Sequence, residues 1–391
     1  MYWIVTELFY PDEVSTAQIL TDIAVKKNEQ LDVSIISGPS GYESSYAYQK
    51  RNLNDRIIIY RVKLPSLNKN ILIQRIFRLL LLTAKLSWNV LTKVKKDDTV
   101  LFTTNPTFLV LILPFVKRLK GFNLELLVHD VFPDNLVPAG LMKSDSRKFK
   151  LLSRVYSSSY KKVDRIIVLG QDMSNLMFEK IGKDSKRIDI ISNWSDNNIY
   201  PIKDFSIGEY LGLDISEKVV LSFAGNLGRV QGLLEFIDII KKANNKNVIL
   251  VIIGDGALRE SITNKIKDEI IENVYYLGTK SRIEQNLFLN ACHIGLVTLV
   301  SGMKGLGVPS KTYNYLAVGK AVLFIGDRES EVDNYISNYD CGWSFSWEEQ
   351  NNLIDFIREL SILKINEIVN KGERAYLFSR NFKKEKLLDL F

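Results

Sequence analysis

A glycine-rich segment, Gly302–Lys311, leads from an apolar run into a helical pattern and combines a flexible backbone with cations. The amides of Gly307 and Val308, at the predicted start of that helix, would point at the same place as the ammonium group of Lys311. Asn314 lies one turn further along the same helical face, where its side chain could bond hydroxyl groups. Packing alone would explain the glycines but not their coincidence with a lysine. The segment therefore predicts a site for an anion.

A second glycine-rich segment, Gly225–Gly232, follows the apolar run Val219–Phe223 and precedes another helical pattern. Backbone amides near Gly228 could approach an anion, and Arg229 could hold a diphosphate through two parallel hydrogen bonds. A tight turn with a surface arginine would explain the same residues, so this segment alone leaves both interpretations open.

Two shorter turns follow the next two apolar runs of the same half of the chain. Gly254 begins a Gly-Asp-Gly turn, which is weak evidence because it completes neither a dinucleotide fingerprint nor a Walker motif. Leu277 and Gly278 offer backbone groups that could bond the edge of a nucleobase. These turns are the candidate nucleoside contacts.

His129 and Asp130 follow the apolar run Leu124–Val128 in the first half of the chain. A lone histidine is more often structural than catalytic. Parallel sheets, however, bind ligands beyond the carboxyl ends of their strands, and this position favours catalysis. His293, the other histidine, begins an apolar run and is predicted to be structural.

The elements that position these residues alternate between short apolar strands and helices. Runs of Val, Ile and Leu without polar alternation are typical of parallel strands that are buried on both faces. The alternation restarts after the polar segment Ser195–Ser216, which predicts two doubly wound α/β domains. We predict a first domain over residues 1–195, a second over 217–370, and a C-terminal helix over 371–391 that returns to the first domain. The predicted strands are Tyr2–Glu7, Asp32–Ser37, Ile57–Val62, Val100–Thr103, Leu124–Val128, Arg165–Leu169, Asp189–Ile191, Val219–Phe223, Val248–Ile253, Val274–Leu277, Ile294–Leu299 and Ala321–Ile325.

Composition excludes several classes of protein. With 46% hydrophobic and 25% charged residues, the 391-residue chain is typical of a globular protein. Its two cysteines form no Cys-x-x-Cys pair and its two histidines lack ligand spacing, so we expect no zinc site and a reducing cytosol. No Gly-x-Ser-x-Gly elbow of a serine hydrolase is present, and no apolar run is long enough to span a membrane. The first residues lack the basic region of a signal peptide.

Basic charge is concentrated in the first half of the chain. Residues 1–200 have an excess of nine basic residues, whereas residues 201–391 have an excess of two acidic ones. The helical stretch Ile71–Val94 places Arg75, Arg78 and Lys85 on one stripe beside a broad apolar surface that includes Trp88. Such a helix is predicted to lie on anionic lipid, and a core helix with solvated arginines is the alternative. Nucleic-acid binding is disfavoured because no exposed aromatic residues alternate with the cations.

In this order and spacing, these residues resemble the retaining glycosyltransferases of family 4, whose GT-B fold has two Rossmann-like doubly wound domains facing across a cleft. The resemblance covers nearly the whole chain. The motifs Gly-Asn-x-Gly-x-x-Gln-Gly and Val-Pro-Ser-Lys resemble those of one branch of the family. That branch makes bacterial O-antigen and capsule sugars and includes L-fucosamine transferases. The matching segments are His129-Asp130, Lys162–Val168, Ser192–Trp194, Gly225–Gly232, Gly254–Gly256, Leu277-Gly278 and Pro309–Val322.

The sequence departs from the pattern of that family at three places. Gln231 stands where the family has a lysine, which leaves more of the diphosphate charge to Arg229 or Lys311. Leu306 and Asn314 replace the family's pair of glutamates, so Leu306 offers only its main chain to the donor sugar. The N-terminal loop lacks the family's paired glycines.

The resemblance implies transfer of a sugar from a UDP-sugar, with retention at the anomeric carbon, to a polyprenyl-diphosphate-linked saccharide. A deoxy-N-acetylhexosamine such as L-FucNAc is a candidate donor sugar. Fixed cations and helix N-termini would stabilise the departing diphosphate without a metal or other cofactor. One of these helices begins at Thr16. His129 would bond the donor sugar. The implied location is cytoplasmic, peripheral on the inner face of the cytoplasmic membrane.

Two other functions remain open at this point. A sugar-nucleotide epimerase shares the two-domain fold but would need a cluster of acid and base carboxylates, which the sequence does not indicate. A membrane-bound sugar-nucleotide-binding protein without catalysis is compatible with the missing glutamate pair. Release of UDP that depends on an acceptor would separate these three functions.

Overall fold

The computed structural model describes residues 1–40, 53, 56–65, 72–182 and 187–391 of the chain. The chain divides into two compact units. Unit 1 comprises Met1–Ser192, Gly305–Gly307 and Glu385–Phe391, and unit 2 comprises Asn193–Lys304 and Val308–Lys384. Each unit is built around its own parallel sheet.

Within the described residues, the sheet of unit 1 has seven parallel strands: β1 (Tyr2–Thr6), β2 (Val33–Ser37), β3 (Ile58–Arg61), β4 (Thr99–Thr103), β5 (Asn123–Leu127), β6 (Arg165–Val168) and β7 (Arg187–Ile190). Their spatial order is β3-β2-β1-β4-β5-β6-β7. Every residue of β1 and β2 is buried because helices cover both faces, which explains their unbroken apolar runs. The helices are α1 (Ser15–Asn28), α2 (Leu72–Lys93), α3 (Leu109–Lys120), α4 (Arg147–Tyr160) and α5 (Gln171–Ile181).

The sheet of unit 2 has six parallel strands: β8 (Val219–Ala224), β9 (Val248–Ile253), β10 (Val274–Tyr276), β11 (Ile294–Thr298), β12 (Ala321–Ile325) and β13 (Gly342–Phe345). Their order is β10-β9-β8-β11-β12-β13, so the chain changes direction across the sheet between β8 and β11. Loops that follow these two strands diverge there and leave a crevice for a ligand. The helices are α6 (Ile207–Leu211), α7 (Leu233–Ala243), α8 (Arg259–Asp268), α9 (Gln285–Asn290), α10 (Lys311–Ala317), α11 (Glu331–Tyr339), α12 (Gln350–Glu359) and α13 (Ile365–Ser379).

The prediction of two doubly wound parallel sheets is confirmed, with differences in detail. Strand β13 was not predicted, because this edge strand contains glycine and serine and is only partly buried. The predicted C-terminal helix over 371–391 is interrupted: α13 ends at Ser379 and a separate short helix, α14 (Lys384–Leu388), follows. The polar segment between the sheets contains α6. Among the described helices, none is long and apolar enough to cross a membrane.

The last seven residues are held against unit 1 by Arg165, which lies at the start of β6. Its guanidinium donates to the carbonyl oxygens of Leu390 and Phe391, at 2.8 and 3.1 Å. The same guanidinium bonds Asp189 on the neighbouring strand at 2.6 Å. Three large side chains of the tail are buried, those of Leu387, Leu388 and Phe391. The tail is therefore part of the packing of unit 1.

Deletion of residues 385–391 should destabilise unit 1. The deletion exposes the surface that three buried apolar side chains cover, and each such burial contributes about 1.5–3 kcal/mol. We expect the free energy of unfolding of unit 1 to fall by roughly 4 kcal/mol or more, measured by denaturant titration. The control is Leu390→Ser, since the Leu390 side chain is exposed. An unchanged transition in the deletion variant would contradict this role of the tail.

Candidate functional site

Three loops at the carboxyl ends of β8, β9 and β10 pack directly on one another in unit 2. The Gly225 amide donates to the carbonyl of Ile253, and the Gly254 amide donates to the carbonyl of Gly278, both at 2.9 Å. Gly225 and Gly254 have φ angles of 145° and 140°, which favour glycine. A Cβ atom on Gly254 would lie 1.9 Å from the carbonyl oxygen of Gly225. These glycines are required for the close approach of the loops.

Lys311, the first residue of α10, places its ammonium group against the loop that follows β8. Nζ donates to Oε1 of Gln231 at 2.6 Å and lies 3.4 Å from the centroid of the Phe223 ring. Burial lowers the pKa of Lys311 well below its usual value. No described carboxylate pairs with it, whereas nearby Lys304 pairs with Glu329 at 2.6 Å. An enclosed ammonium without a counter-charge is unfavourable unless a ligand supplies one.

Two further predicted ligands belong to the two segments that this hydrogen bond joins. Arg229 begins a short 3-10 turn two residues before Gln231, and Gly228 is the extended residue that precedes the turn. The Arg229 side chain is exposed and has no ion-pair partner within the described part of the chain. Asn314 lies in α10, one turn after Lys311, and is half-buried. An exposed, unpaired arginine two residues from the glutamine that binds Lys311 suits a doubly charged anion.

The predicted nucleoside contacts are partly used by the fold. The Leu277 amide donates to the carbonyl of Ile252 at 2.9 Å, so it continues the sheet and cannot also bond a base. The prediction that backbone groups of this turn contact a base therefore excludes the Leu277 amide and otherwise stays a prediction. Gly278 has a φ of 71° and no atom within 4 Å of a Cβ placed on it. This turn is open around Gly278.

His129 and Asp130 follow β5 in unit 1, as predicted. Both backbone amides donate to Oγ1 of Thr104, each at 3.2 Å, which fixes the turn at the end of the neighbouring strand β4. Nε2 of His129 is buried and has no hydrogen-bond partner among the described residues. Burial lowers the pKa of His129 to about 4, and desolvation raises the pKa of Asp130. A neutral imidazole with one unbonded ring nitrogen can bond a substrate hydroxyl.

The segment Gly305–Gly307 packs within unit 1 beside this turn. Its first amide donates to Oδ2 of Asp172 at 3.1 Å, and the carbonyl of its second residue accepts from the Val131 amide at 3.2 Å. A Cβ on its third residue would lie 3.0 Å from the His129 carbonyl oxygen. Val308, which follows this segment, is buried in unit 2. Asp172 and Val131 therefore fix the position of the glycines relative to His129.

Four residues of these arrangements were not predicted as contacts: Phe223, Gln231, Thr104 and Asp172. Gln231 was recognised only as a departure from the family pattern. The order of strands provides a signal for Thr104, because β4 and β5 are neighbours and their ends must meet. Nothing in the sequence distinguishes Asp172 from other acidic residues that begin helices.

Thr16 is the second residue of α1. The residue that precedes this helix, Val14, has no side-chain hydrogen bond to the helix, and no acidic residue lies in the first turn. The start of α1 therefore keeps the positive end of its helix dipole without a negative side chain in that turn.

Two of the four residues predicted to contact the membrane on α2 form contacts within unit 1. Arg78 pairs with Glu7 at 2.9 Å in a partly buried ion pair, and Lys85 donates to the carbonyl of Lys63 at 2.6 Å. Each of these two cations therefore has a partner within unit 1. Trp88 is 65% exposed. The side chain of Arg75 lies outside the part of the chain that is described.

Among the described residues, no group of three or more His, Cys, Asp or Glu side chains could hold a metal ion. The candidate residues of unit 2 are cations and backbone amides, and the candidate residue of unit 1 is a neutral histidine. Such groups stabilise negative charge on a substrate by fixed dipoles and charges.

Substitution of Gly254 should be far more damaging than substitution of Gly278. Gly254→Ala places a methyl group against a backbone carbonyl, so we expect a loss of roughly 3 kcal/mol or more in the unfolding free energy of unit 2. Gly278→Ala is the matched control, with only the left-handed backbone penalty of about 1 kcal/mol. If chemical denaturation gave equal losses of unfolding free energy for the two variants, the loops would separate at little cost.

Acid should destabilise the protein partly through His129. Its pKa is about 4 in the folded chain and 6.5 in the unfolded one, so between these values the unfolded state binds the extra proton. The free energy of unfolding therefore falls as pH falls from 6.5 to 4. His129→Asn should flatten this dependence in denaturant titrations at several pH values. His293, whose pKa burial also lowers to about 4, keeps its contribution. An unchanged pH dependence would contradict a neutral, buried His129.

Comparison with known proteins agrees with this architecture. The family model for group 1 glycosyl transferases matches residues 213–377. "Probable glycosyltransferase WbjE" of Pseudomonas aeruginosa is 36% identical over 316 residues, which are 78% of this chain and 76% of that protein. WcaI of Escherichia coli strain K12, named for a role in colanic acid biosynthesis, is 23% identical over 245 residues, 61% of this chain and 59% of that protein.

The crystal structure of HepE from Anabaena in complex with UDP has a TM-score of 0.70 to this chain. The two share 14% sequence identity, and the alignment covers 100% of this chain and 97% of HepE. WaaG, a glycosyltransferase involved in lipopolysaccharide biosynthesis, aligns over 100% of this chain and 99% of its own, with 11% identity and a TM-score of 0.69. The predicted GT-B fold is confirmed. Because it is 36% identical to WbjE over about three quarters of both chains, this chain belongs to the group 1 glycosyl transferases and is a glycosyltransferase.

Proposed function

We propose that this glycosyltransferase moves a sugar from a UDP-sugar to a lipid-linked saccharide, with retention at the anomeric carbon, during assembly of a bacterial surface polysaccharide. The observation that carries the proposal is the Lys311 ammonium, which is enclosed at the switch point of unit 2 without a carboxylate partner. A diphosphate supplies the missing negative charge. The complex of HepE with UDP and the role for which WcaI is named support the choice of donor and product.

Diphosphate binding would use the groups that surround Lys311 in unit 2. Arg229 is exposed and can approach a second phosphate, and Gly228 lets backbone amides come near it. Asn314, one helical turn from Lys311, can bond ribose hydroxyls. We propose that these fixed cations and dipoles carry the charge of the leaving group, so that the reaction uses no metal ion or other cofactor.

The reaction breaks the bond between the anomeric carbon and the β-phosphate oxygen of UDP. A new bond forms from the acceptor hydroxyl oxygen to the same carbon, and the hydroxyl proton passes to an oxygen of the departing phosphate. His129 remains neutral because of its low pKa, so its role is a hydrogen bond to a donor-sugar hydroxyl and not proton abstraction. Asp130, the adjacent residue, would orient the acceptor.

The donor sugar we propose is a deoxy-N-acetylhexosamine such as L-FucNAc. Leu306 is buried and its carbonyl is bonded to the Val131 amide, so it offers no carboxylate to sugar hydroxyls. A site without a carboxylate at position 306 suits a donor sugar with fewer hydroxyl groups. The acceptor we propose is a polyprenyl-diphosphate-linked saccharide, which places the enzyme at the cytoplasmic face of the membrane. Family membership favours transfer over the epimerase alternative.

Replacement of Lys311 by methionine should separate binding from stability. Lys311→Met keeps an apolar stem on Phe223 but removes the charge, so UDP affinity measured by calorimetry should fall roughly 10- to 100-fold, as expected for a charge-assisted hydrogen bond. The free energy of unfolding should stay the same or rise, because an uncompensated charge is removed. Lys304→Met is the control, since Lys304 is exposed and already paired with Glu329.

Normal UDP binding by Lys311→Met would place the diphosphate elsewhere. Loss of stability without loss of affinity would make the lysine structural. A second readout is proton uptake: a bound diphosphate raises the lowered pKa of Lys311, so UDP should bind with proton uptake at alkaline pH, and Lys311→Met should abolish it. His129→Ala should lower turnover with UDP affinity nearly unchanged.

A further inference from the structure

A cavity of about 440 Å³ opens in unit 2 at the amino ends of its strands. Three of its lining residues each precede a strand directly: Lys218 comes before β8, Asn247 before β9 and Asn273 before β10. Strands β8 and β9 have six residues each, so about 20 Å separates this edge of the sheet from the loops that follow them. The volume is in the range of small-molecule sites, about 300–1,000 Å³. The cavity is therefore separate from the candidate diphosphate site.

Side-chain amides hold the wall of this cavity in place. Nδ2 of Asn245 donates to the carbonyl oxygen of Ile357 in α12 at 2.9 Å, and its Oδ1 accepts from the Asn247 amide at 2.9 Å. Nδ2 of Asn273 donates to the carbonyl oxygen of Asn245 at 3.2 Å. Because these bonds form without a ligand, the wall has its shape before binding, which lowers the entropic cost of binding.

The lining combines two kinds of polar group. Helices α7 and α8 both end at the cavity, since the residues that follow them, Asn244 and Glu269, belong to its lining. The carbonyl ends of helices carry negative partial charge. Lys246 also lines the cavity and forms no ion pair with any described residue, whereas Lys241 pairs with Glu269 at 2.9 Å. Hydrogen-bond acceptors and cationic donors therefore face the same space.

This combination of groups indicates the charge of a ligand. The helix ends repel an anion, and the lysines repel a cation. A neutral ligand with several hydroxyl groups suits both kinds of group, because each hydroxyl donates one hydrogen bond and accepts others. The lining therefore favours a polyhydroxyl compound.

Two less polar residues complete the lining, Ile270 and Tyr275. The Tyr275 side chain is half-buried, and its hydroxyl bonds none of the described residues. Ile270 is 79% exposed and has a φ angle of 50°, a left-handed conformation that is costly for a β-branched residue. Strained residues of this kind cluster where ligands are held. An exposed isoleucine and a tyrosine ring can contact the C–H groups of a sugar ring.

We propose that this cavity binds a saccharide through one or two pyranose rings. The C–H groups of a ring contact Ile270 and Tyr275, and its hydroxyl groups accept from Lys246 and donate to carbonyl oxygens at the end of α7. Glycans are among the ligands that a glycosyltransferase meets. The inference goes beyond the proposed function, because neither UDP nor the reacting sugar would occupy this edge of the sheet.

Saturation-transfer NMR of the full chain tests this binding, with UDP present to occupy the donor site. The probes are three neutral disaccharides at millimolar concentration: maltose, lactose and N,N′-diacetylchitobiose. At least one should bind, and inorganic pyrophosphate should not displace it. Tyr275→Ser should weaken that binding roughly tenfold because the ring contact is lost, whereas Tyr275→Phe should keep it within about threefold.

The lysine of the lining has its own variant. Lys246→Gln should weaken saccharide binding about threefold, as expected for the loss of one hydrogen bond from a charged donor in a solvated site. The matched control is Lys242→Gln, since Lys242 is exposed on α7 and is not among the lining residues. Binding by this control should equal that of the unchanged chain.

Replacement of Ile270 separates binding from stability. Ile270→Asn removes a branched side chain from a left-handed position that asparagine tolerates, so the melting temperature should rise by about 2–4 °C. Saccharide affinity should nevertheless fall roughly tenfold, because the apolar contact is lost. Ile283→Asn is the matched control: Ile283 is 67% exposed in unit 2 and has no positive φ. Both quantities should stay the same in this control.

The proposal is overturned if none of the three disaccharides binds, or if the cavity variants bind them as well as the controls do. Displacement by pyrophosphate would also overturn it and would make the cavity an anion site. Normal UDP affinity, measured by calorimetry, shows that unit 2 is folded in each variant. Absent saccharide binding with normal UDP affinity contradicts only this inference, and saccharide binding without UDP affinity contradicts only the donor proposal.

Discussion

The uncompensated charge of Lys311 is the feature on which the candidate site depends. An enclosed ammonium group without a carboxylate raises the free energy of the folded state. The Phe223 ring and the Gln231 side-chain oxygen offset part of this cost, because each directs negative partial charge at the ammonium. Neither partner is an ion, so the positive charge persists for a ligand. A carboxylate at position 231 would stabilise the fold further but would cancel that charge.

The topology of the sheet makes this arrangement possible. Because β8 and β11 are neighbours, the loops that follow them begin side by side although about eighty residues separate Gln231 from Lys311. Glycines then decide how closely the loops approach. Gly225 leaves its Cβ position 3.4 Å from Cε of Lys311, and Gly254 allows the neighbouring loop to reach the Gly225 carbonyl. The lysine can lie close under the loop only because no side chain occupies that space.

The sequence was sufficient for much of the fold because its buried strands are unbroken apolar runs, such as Val248–Ile253, whose predicted and observed bounds agree. It also identified Lys311 and His129 as candidate ligand contacts, since both come after strands at the edge where parallel sheets bind ligands. Their partners could not be predicted in the same way. Thr104 bonds the His129 amide across adjacent strands, and Asp172 bonds a glycine 133 residues away, so both contacts depend on the tertiary arrangement.

Helix α2 shows a different limit of sequence reasoning. Periodicity indicates which residues share a side of a helix but not which side turns inward. In α2 two sides are apolar: Leu82, Leu86 and Val90 are buried, whereas Phe77 and Trp88 are exposed. Arg78 lies between these two sides in the helical pattern. Its guanidinium pairs with Glu7, a partner that only the tertiary fold supplies. An apolar side that the fold leaves exposed is unfavourable in water, and its position could not be read from the sequence because the buried and the exposed sides of α2 are both apolar.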